Sequence, residues 1–217
     1  MKSISKFKLI WIAIPLLCCN TIMLAQSNFT IEGSQVISNF KFTDSQNTKD
    51  KDYVSNFSGA YNLGYLNQSE SGVIIRAGFG MRKGGASLVY DGINYNWSLQ
   101  YLSINAGAGY LHGDGRLQPY LTIAGYVGML LKANQTINTE DFDILVLEEI
   151  KSLDFGIITS LGVHIKLSDD ITAFTEYSYL MGLQNIETGD TGQKSSNVSY
   201  VFTLGLAFAI TNLKSDI

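Results

Sequence analysis

From Ser152 to Leu167 the chain reads SLDFGIITSLGVHIKL, and alternate residues separate into two sets. Leu153, Phe155, Ile157, Thr159, Leu161, Val163, Ile165 and Leu167 make one set. Ser152, Asp154, Gly156, Ile158, Ser160, Gly162, His164 and Lys166 make the other. A period of two is the repeat of a β-strand, with one apolar face and one small or polar face. Segments of this kind recur over residues 29–43, 56–67, 72–83, 94–110, 118–132, 152–167, 171–184 and 199–210. Long helical periodicity is absent between them. Beyond residue 25, no stretch has the ~20 consecutive apolar residues that a spanning helix requires. The pattern predicts an all-β fold of eight antiparallel strands.

The two faces decide what surrounds the sheet. On the apolar side stand Val73, Ile75, Ala77, Phe79 and Met81, then Leu121, Ile123, Gly125, Val127, Met129 and Leu131. Ile171, Ala173, Thr175, Tyr177, Tyr179, Met181 and Leu183 continue it, followed by Tyr200, Phe202, Leu204, Leu206, Phe208 and Ile210. None is charged, and a lysine or arginine facing the middle of a bilayer costs about 2–4 kcal/mol. The opposite faces hold glycine, serine and a few ionisable residues, unlike the Lys- and Glu-rich exterior of a soluble barrel. The expectation is an up-and-down transmembrane β-barrel whose greasy face meets lipid. Gly and Ser on its narrow inner wall would make room for Arg76, Arg82 and Lys166, with Asp154 and Glu176 as partners. A small Gly162→Ser change should then be tolerated.

Connections alternate between short (QSES, LHGDGRL, SDD) and long (DSQNTKDKDYVS, GGASLVYDGI, ANQTINTEDFDILVLEEIK, NIETGDTGQKSSNV). Outer-membrane barrels have short periplasmic turns and long outer loops, so both termini are expected in the periplasm. In the loop after the fifth strand, Asn138 or Thr139 can cap a short helix, with Glu140 and Asp141 in its first turn and Phe142, Leu145, Val146 and Glu149 sharing a side. The competing expectation is an early start of the sixth strand through ILVLEEI.

The chain opens with Lys2, Lys6 and Lys8, an apolar run over 9–17 and a small residue at Ala25, the pattern of a secretory signal peptide. Residues 1–25 are read as that signal and 26–217 as the barrel domain. Removal of three of the 15 Lys and Arg leaves 12 against 19 Asp and Glu, a net charge near −7. That balance argues against nucleic acid as a partner. Both cysteines, Cys18 and Cys19, leave with the signal, so thiolate metal sites and cysteine nucleophiles are excluded from the mature chain.

GMRKGGA (80–86), YLSINAGAGY (101–110), QPYLTIAGYVGMLL (118–131), LDFGIITSLGVHI (153–165) and FTEYSYLMGLQNI (174–186) occur in that order over about half of the mature chain. Together they resemble the PorT-like outer-membrane β-barrel family of Bacteroidota. Asn105 and Tyr177 stand where that family often has proline and arginine. The resemblance implies an outer-membrane barrel; most of the family has no assigned activity.

Three groups carry chemistry. Arg76, Arg82, Asp154, His164, Lys166 and Glu176 are read as a structural polar network in the lumen, with a narrow pore as the alternative. His164 with Glu176 and Ser160 or Ser178 has the residue types of a lipid A-modifying hydrolase; all of them face inward, so packing is the preferred reading. Glu140, Asp141, Asp143, Glu148 and Glu149 match no calcium-loop spacing and read as a solvated loop. The expected protein is a non-enzymatic outer-membrane barrel with a structural or interaction role through its outer loops, and without cofactor or metal. Its expected partners are outer-membrane lipid and lipopolysaccharide, the barrel-assembly machinery during insertion, and a protein at the outer loops.

Overall fold

The computed structural model describes residues 25–43, 49–50, 53–147, 150–188 and 194–210. Except for Ala25, the expected signal peptide lies outside the described residues. Eight long strands follow the eight alternating segments: β1 (Ala25–Thr43), β3 (Val54–Ser69), β4 (Val73–Tyr90), β5 (Ile93–Leu111), β6 (Leu117–Ile137), β8 (Leu153–Lys166), β9 (Ile171–Gly182) and β10 (Lys194–Ala209). Two short strands, β2 (Lys49–Asp50) and β7 (Glu140–Asp143), pair only with β1 and β6. Each long strand pairs antiparallel with the next, and β10 pairs with β1 over its whole length, so the eight close into a ring.

The stagger of this ring can be traced through paired residues. From Gly156 the row runs through Tyr126, Asn105, Gly78, Gly64, Thr30, Ala207 and Thr172 and returns to β8 at Lys166, ten residues along. Ten residues of stagger over eight strands imply a tilt of roughly 40°. Leu121 to Leu131 on β6 then rises roughly 25 Å, the height of an outer-membrane apolar band.

The facing of the strands follows the period. Leu161 is 62% exposed and its neighbours Gly162 and Ser160 are buried. The outward residues of β4, β6, β8, β9 and β10 form a continuous exposed apolar belt, far too large a patch for a protein surrounded by water. The first strand begins and the last ends at the rim that carries the three short turns.

At the other rim the structure departs from the sequence reading. Residues 84–93 are no loop: β4 and β5 pair up to Tyr90 and Ile93 around Asp91 and Gly92, both with positive φ (49° and 75°). Asp-Gly at φ > 0 is the two-residue turn that matches strand twist. The expected helix after β6 is also absent. Asn138 takes a positive φ of 52° and reverses the chain, and Glu140–Asp143 pairs with Asn134–Ile137 as β7. A helix this short is marginal alone, whereas the hairpin satisfies the backbone at once. Leu145 and Val146 form a turn whose amides donate to Asp143 Oδ1 (3.0 and 3.3 Å), so the ladder of the competing expectation is absent there too. Glu148 and Glu149 lie outside the described residues.

Candidate functional site: the barrel lumen

Two polar knots cross the lumen. In the first, the Arg76 guanidinium on β4 donates to Glu32 on β1 (3.1 Å) and to Glu176 on β9. Glu176 also accepts from the Tyr120 hydroxyl (2.8 Å) and from Ser178 (2.9 Å), whose oxygen lies 2.9 Å from the Ser160 hydroxyl and accepts from it. Glu32 accepts from Thr30 (3.0 Å) and Asn62 (3.1 Å). In the second knot, Arg82 donates to Asp154 Oδ2 at 2.6 Å, and its guanidinium lies over the rings of Tyr101 (4.5 Å) and Tyr126 (5.0 Å). Tyr126 (3.1 Å) and Asn197 (3.0 Å) donate to the same Asp154 oxygen. With the Asn105 to Asn62 bond (3.4 Å), the two knots draw side chains from all eight ring strands.

The chemistry of these knots follows from burial. Arg82 is 8% exposed and Asp154 fully buried. Charges taken this far from water persist only when paired and hydrogen-bonded, and each carboxylate here has an arginine and at least one further donor. Three acids against two arginines leave the lumen one formal negative charge. The two ion-paired knots act as a staple across the barrel.

Between the knots lies a cavity of about 130 Å³, bordered by Arg76, Arg82, Ser103, Glu176 and Ser199. Arg82 Nε and Nη1 and the hydroxyls of Ser103 and Ser199 have no protein hydrogen-bond partner. Such a space is polar and roomy enough to hold water. Toward the long loops the lumen is filled by Phe40, Leu99, Tyr101, Leu130, Ile144 and Ile186; toward the short turns, by Ile74, Leu111, Tyr120, Phe174 and Ala207.

Four of the six expected network residues, Arg76, Arg82, Asp154 and Glu176, are bonded in these knots. His164 is not. It packs between Tyr120 (ring centroids 4.6 Å apart) and Phe174 (5.7 Å), and among the described residues no hydrogen bond joins it to Ser160, Ser178 or Glu176. Lys166 is a correction: it lies exposed at the short-turn rim, its Nζ 3.5 Å from the Asp114 carbonyl, beside a separate basin also bordered by Arg116, Gln118 and Asp169. The tilted ring carries the last residue of β8 past the lumen. The inner glycines also serve another purpose than expected. A Cβ at Gly162 would overlap the Tyr120 ring and lie 2.6 Å from the Thr175 carbonyl oxygen; one at Gly205 would overlap Phe174. They seat aromatic plugs, so the expected tolerance of Gly162→Ser does not hold.

The sequence reading missed Glu32, Tyr101, Tyr120, Tyr126 and Asn197. Glu32 was open to discovery, being a charged residue on the inward phase of β1. In the acidic segment, Asp141 accepts from Thr136 Oγ1 (2.6 Å) and Asp143 caps its turn. Among the described residues no group of His, Cys, Asp or Glu is placed to hold a metal ion.

No protein-family model and no curated protein matches the sequence. Solved structures do. Outer membrane protein OprG of Pseudomonas aeruginosa aligns with 88% of this chain and all of its own, at 10% identity and a TM-score of 0.51. Neisserial surface protein A aligns with 84% of this chain and 97% of its own, at 12% identity and a TM-score of 0.49. For Ail of Yersinia pestis the figures are 87%, 100%, 15% and 0.46. The likeness to OprG is one of fold: this chain folds as an outer-membrane β-barrel.

Proposed function

We propose that the protein is an integral outer-membrane barrel that works at its long-loop end, as a structural or interaction element, and neither conducts solutes nor catalyses. The observation that carries this reading is the lumen, filled by apolar side chains at both ends and crossed by two buried ion-pair knots. The long-loop end, by contrast, is built up. The β4–β5 and β6–β7 hairpins rise above the belt and are joined by reciprocal bonds between Asn94 and Asn138 (2.8 and 3.1 Å). The β4–β5 tip exposes Val89 and Tyr90, and the turn that follows β7 exposes Val146 and Leu147. Short turns, the start of β1 and the end of β10 at the opposite rim support a periplasmic location for the termini. The ordered motifs support a place beside the PorT-like barrels of Bacteroidota, with no secretion role transferred. Crosslinking in intact cells tests the interaction role. A partner captured at the hairpin tips and lost on deleting residues 88–95 is the expected result. Deacylation of lipopolysaccharide by the purified barrel would overturn the non-catalytic reading.

A further inference from the structure

We propose that Lys83 and Lys132 form a binding site for the phosphate groups of outer-leaflet lipopolysaccharide. The inference rests on the proposed outward orientation of the long-loop end. Lys83 pairs with Gln100 and Gln100 with Lys132, so the three stand in one row across β4, β5 and β6. Lys83 shares the outward phase of Phe79 and Met81 and is exposed. On β6 a bulge restores the lysine to the outside. Tyr101 pairs with Leu130 and Gln100 with Lys132, which leaves Leu131 as the extra residue. Beyond it Ala133 turns inward and Lys132 outward.

The row marks the upper edge of the apolar belt. Directly below it are the outward Met81, Leu102, Met129 and Leu131; above it the outward positions of β5 and β6 are Ser98, Asn96, Asn134 and Thr136. Two strand spacings separate the lysines by roughly 10 Å. Among the described residues neither has a carboxylate within 4 Å, and the ion pairs there all lie in the lumen. Asp141 and Asp143, higher on the same wall, are engaged by Thr136 and by the backbone of their own turn. A pair of cations with no ion-pair partner among the described residues, at the lipid edge of an acidic chain, is complementary to anionic headgroups, and long lysine stems lie along apolar surface while their ammonium groups reach the headgroup level. Two such groups and the Gln100 amide between them present donors to phosphate oxygens.

The test uses the full-length folded barrel in detergent, with native mass spectrometry to measure retained lipid. Probes are lipopolysaccharide, the same material dephosphorylated, and phosphatidylglycerol. A Lys83→Gln/Lys132→Gln double variant is expected to retain at least fivefold less lipopolysaccharide, and Lys83→Arg/Lys132→Arg to retain the wild-type amount. Lys41→Gln, an exposed lysine elsewhere on the wall, serves as the charge control. Wild-type retention by the double glutamine variant, equal loss with Lys41→Gln, undiminished binding of dephosphorylated material, or phosphatidylglycerol held as firmly would each overturn the site. The orientation is tested apart from it. Asp91→Cys at the β4–β5 tip should react with a membrane-impermeant maleimide on intact cells. Failure to label would remove the outward orientation, and lipopolysaccharide as occupant with it, whatever the binding assay shows.

Discussion

At Leu161 and Gly162, adjacent residues meet opposite surroundings. Leu161→Arg sets a charge in the apolar belt at about 2–4 kcal/mol, so the variant should insert poorly, read as loss of the folded, heat-modifiable band on gels. Gly162→Ala adds one methyl group, yet that carbon would enter the Tyr120 ring and crowd the Thr175 carbonyl. It should lower stability by about 1–3 kcal/mol, as overpacking does, measured by the denaturant midpoint; an unchanged midpoint would contradict the seating of Tyr120. Removing one member of the deepest pair has a different cost. Asp154→Ala leaves Arg82 buried beside Tyr101 and Tyr126 without its anion, a loss of about 3–5 kcal/mol. The double variant Arg82→Met/Asp154→Ala should recover part of that loss, because no unpaired charge remains.

At the scale of the elements, the hairpins are set by backbone sign. Asp91 and Gly92 both adopt φ > 0, and a β-branched residue at the second position pays about 1–2 kcal/mol. Gly92→Val should therefore lower the denaturant midpoint modestly while the barrel still inserts. Proteolysis confined to the β4–β5 tip would show the change to be local. The Asp-Gly pair was readable beforehand, since that dipeptide between alternating segments is a strong hairpin mark; treating the whole stretch 84–93 as loop hid it. The β6–β7 hairpin was harder to foresee. Thr139–Asp143 has the composition of a capped first helical turn, and only pairing with Asn134–Ile137 makes it a strand.

For the whole molecule, closure at two levels predicts a silent barrel. Reconstituted in planar bilayers, the wild-type protein should show no steady conductance. Tyr120→Ala with Phe174→Ala removes the rings that fill the short-turn end, but the cluster around Tyr101 and Leu99 still shuts the other. That variant should stay closed as well. Steady channels in the wild-type protein would overturn the closed-lumen reading.

The alternation of residues by itself determined that the chain is eight strands, and which side of each meets lipid, because a period of two fixes the face of every residue once one face is assigned. It therefore placed Arg76, Arg82, Asp154 and Glu176 on the inner wall. It could not say which of them share a height. Height around the ring depends on the ten-residue stagger, a property of pairings between strands distant in sequence, such as β1 with β10. That stagger brought Glu32 to Arg76 and Asp154 to Arg82 and carried Lys166 out to the rim, while the pairing of β6 with β8 laid tyrosines across the glycines opposite them. A local pattern encodes direction; only the closed sheet decides contact.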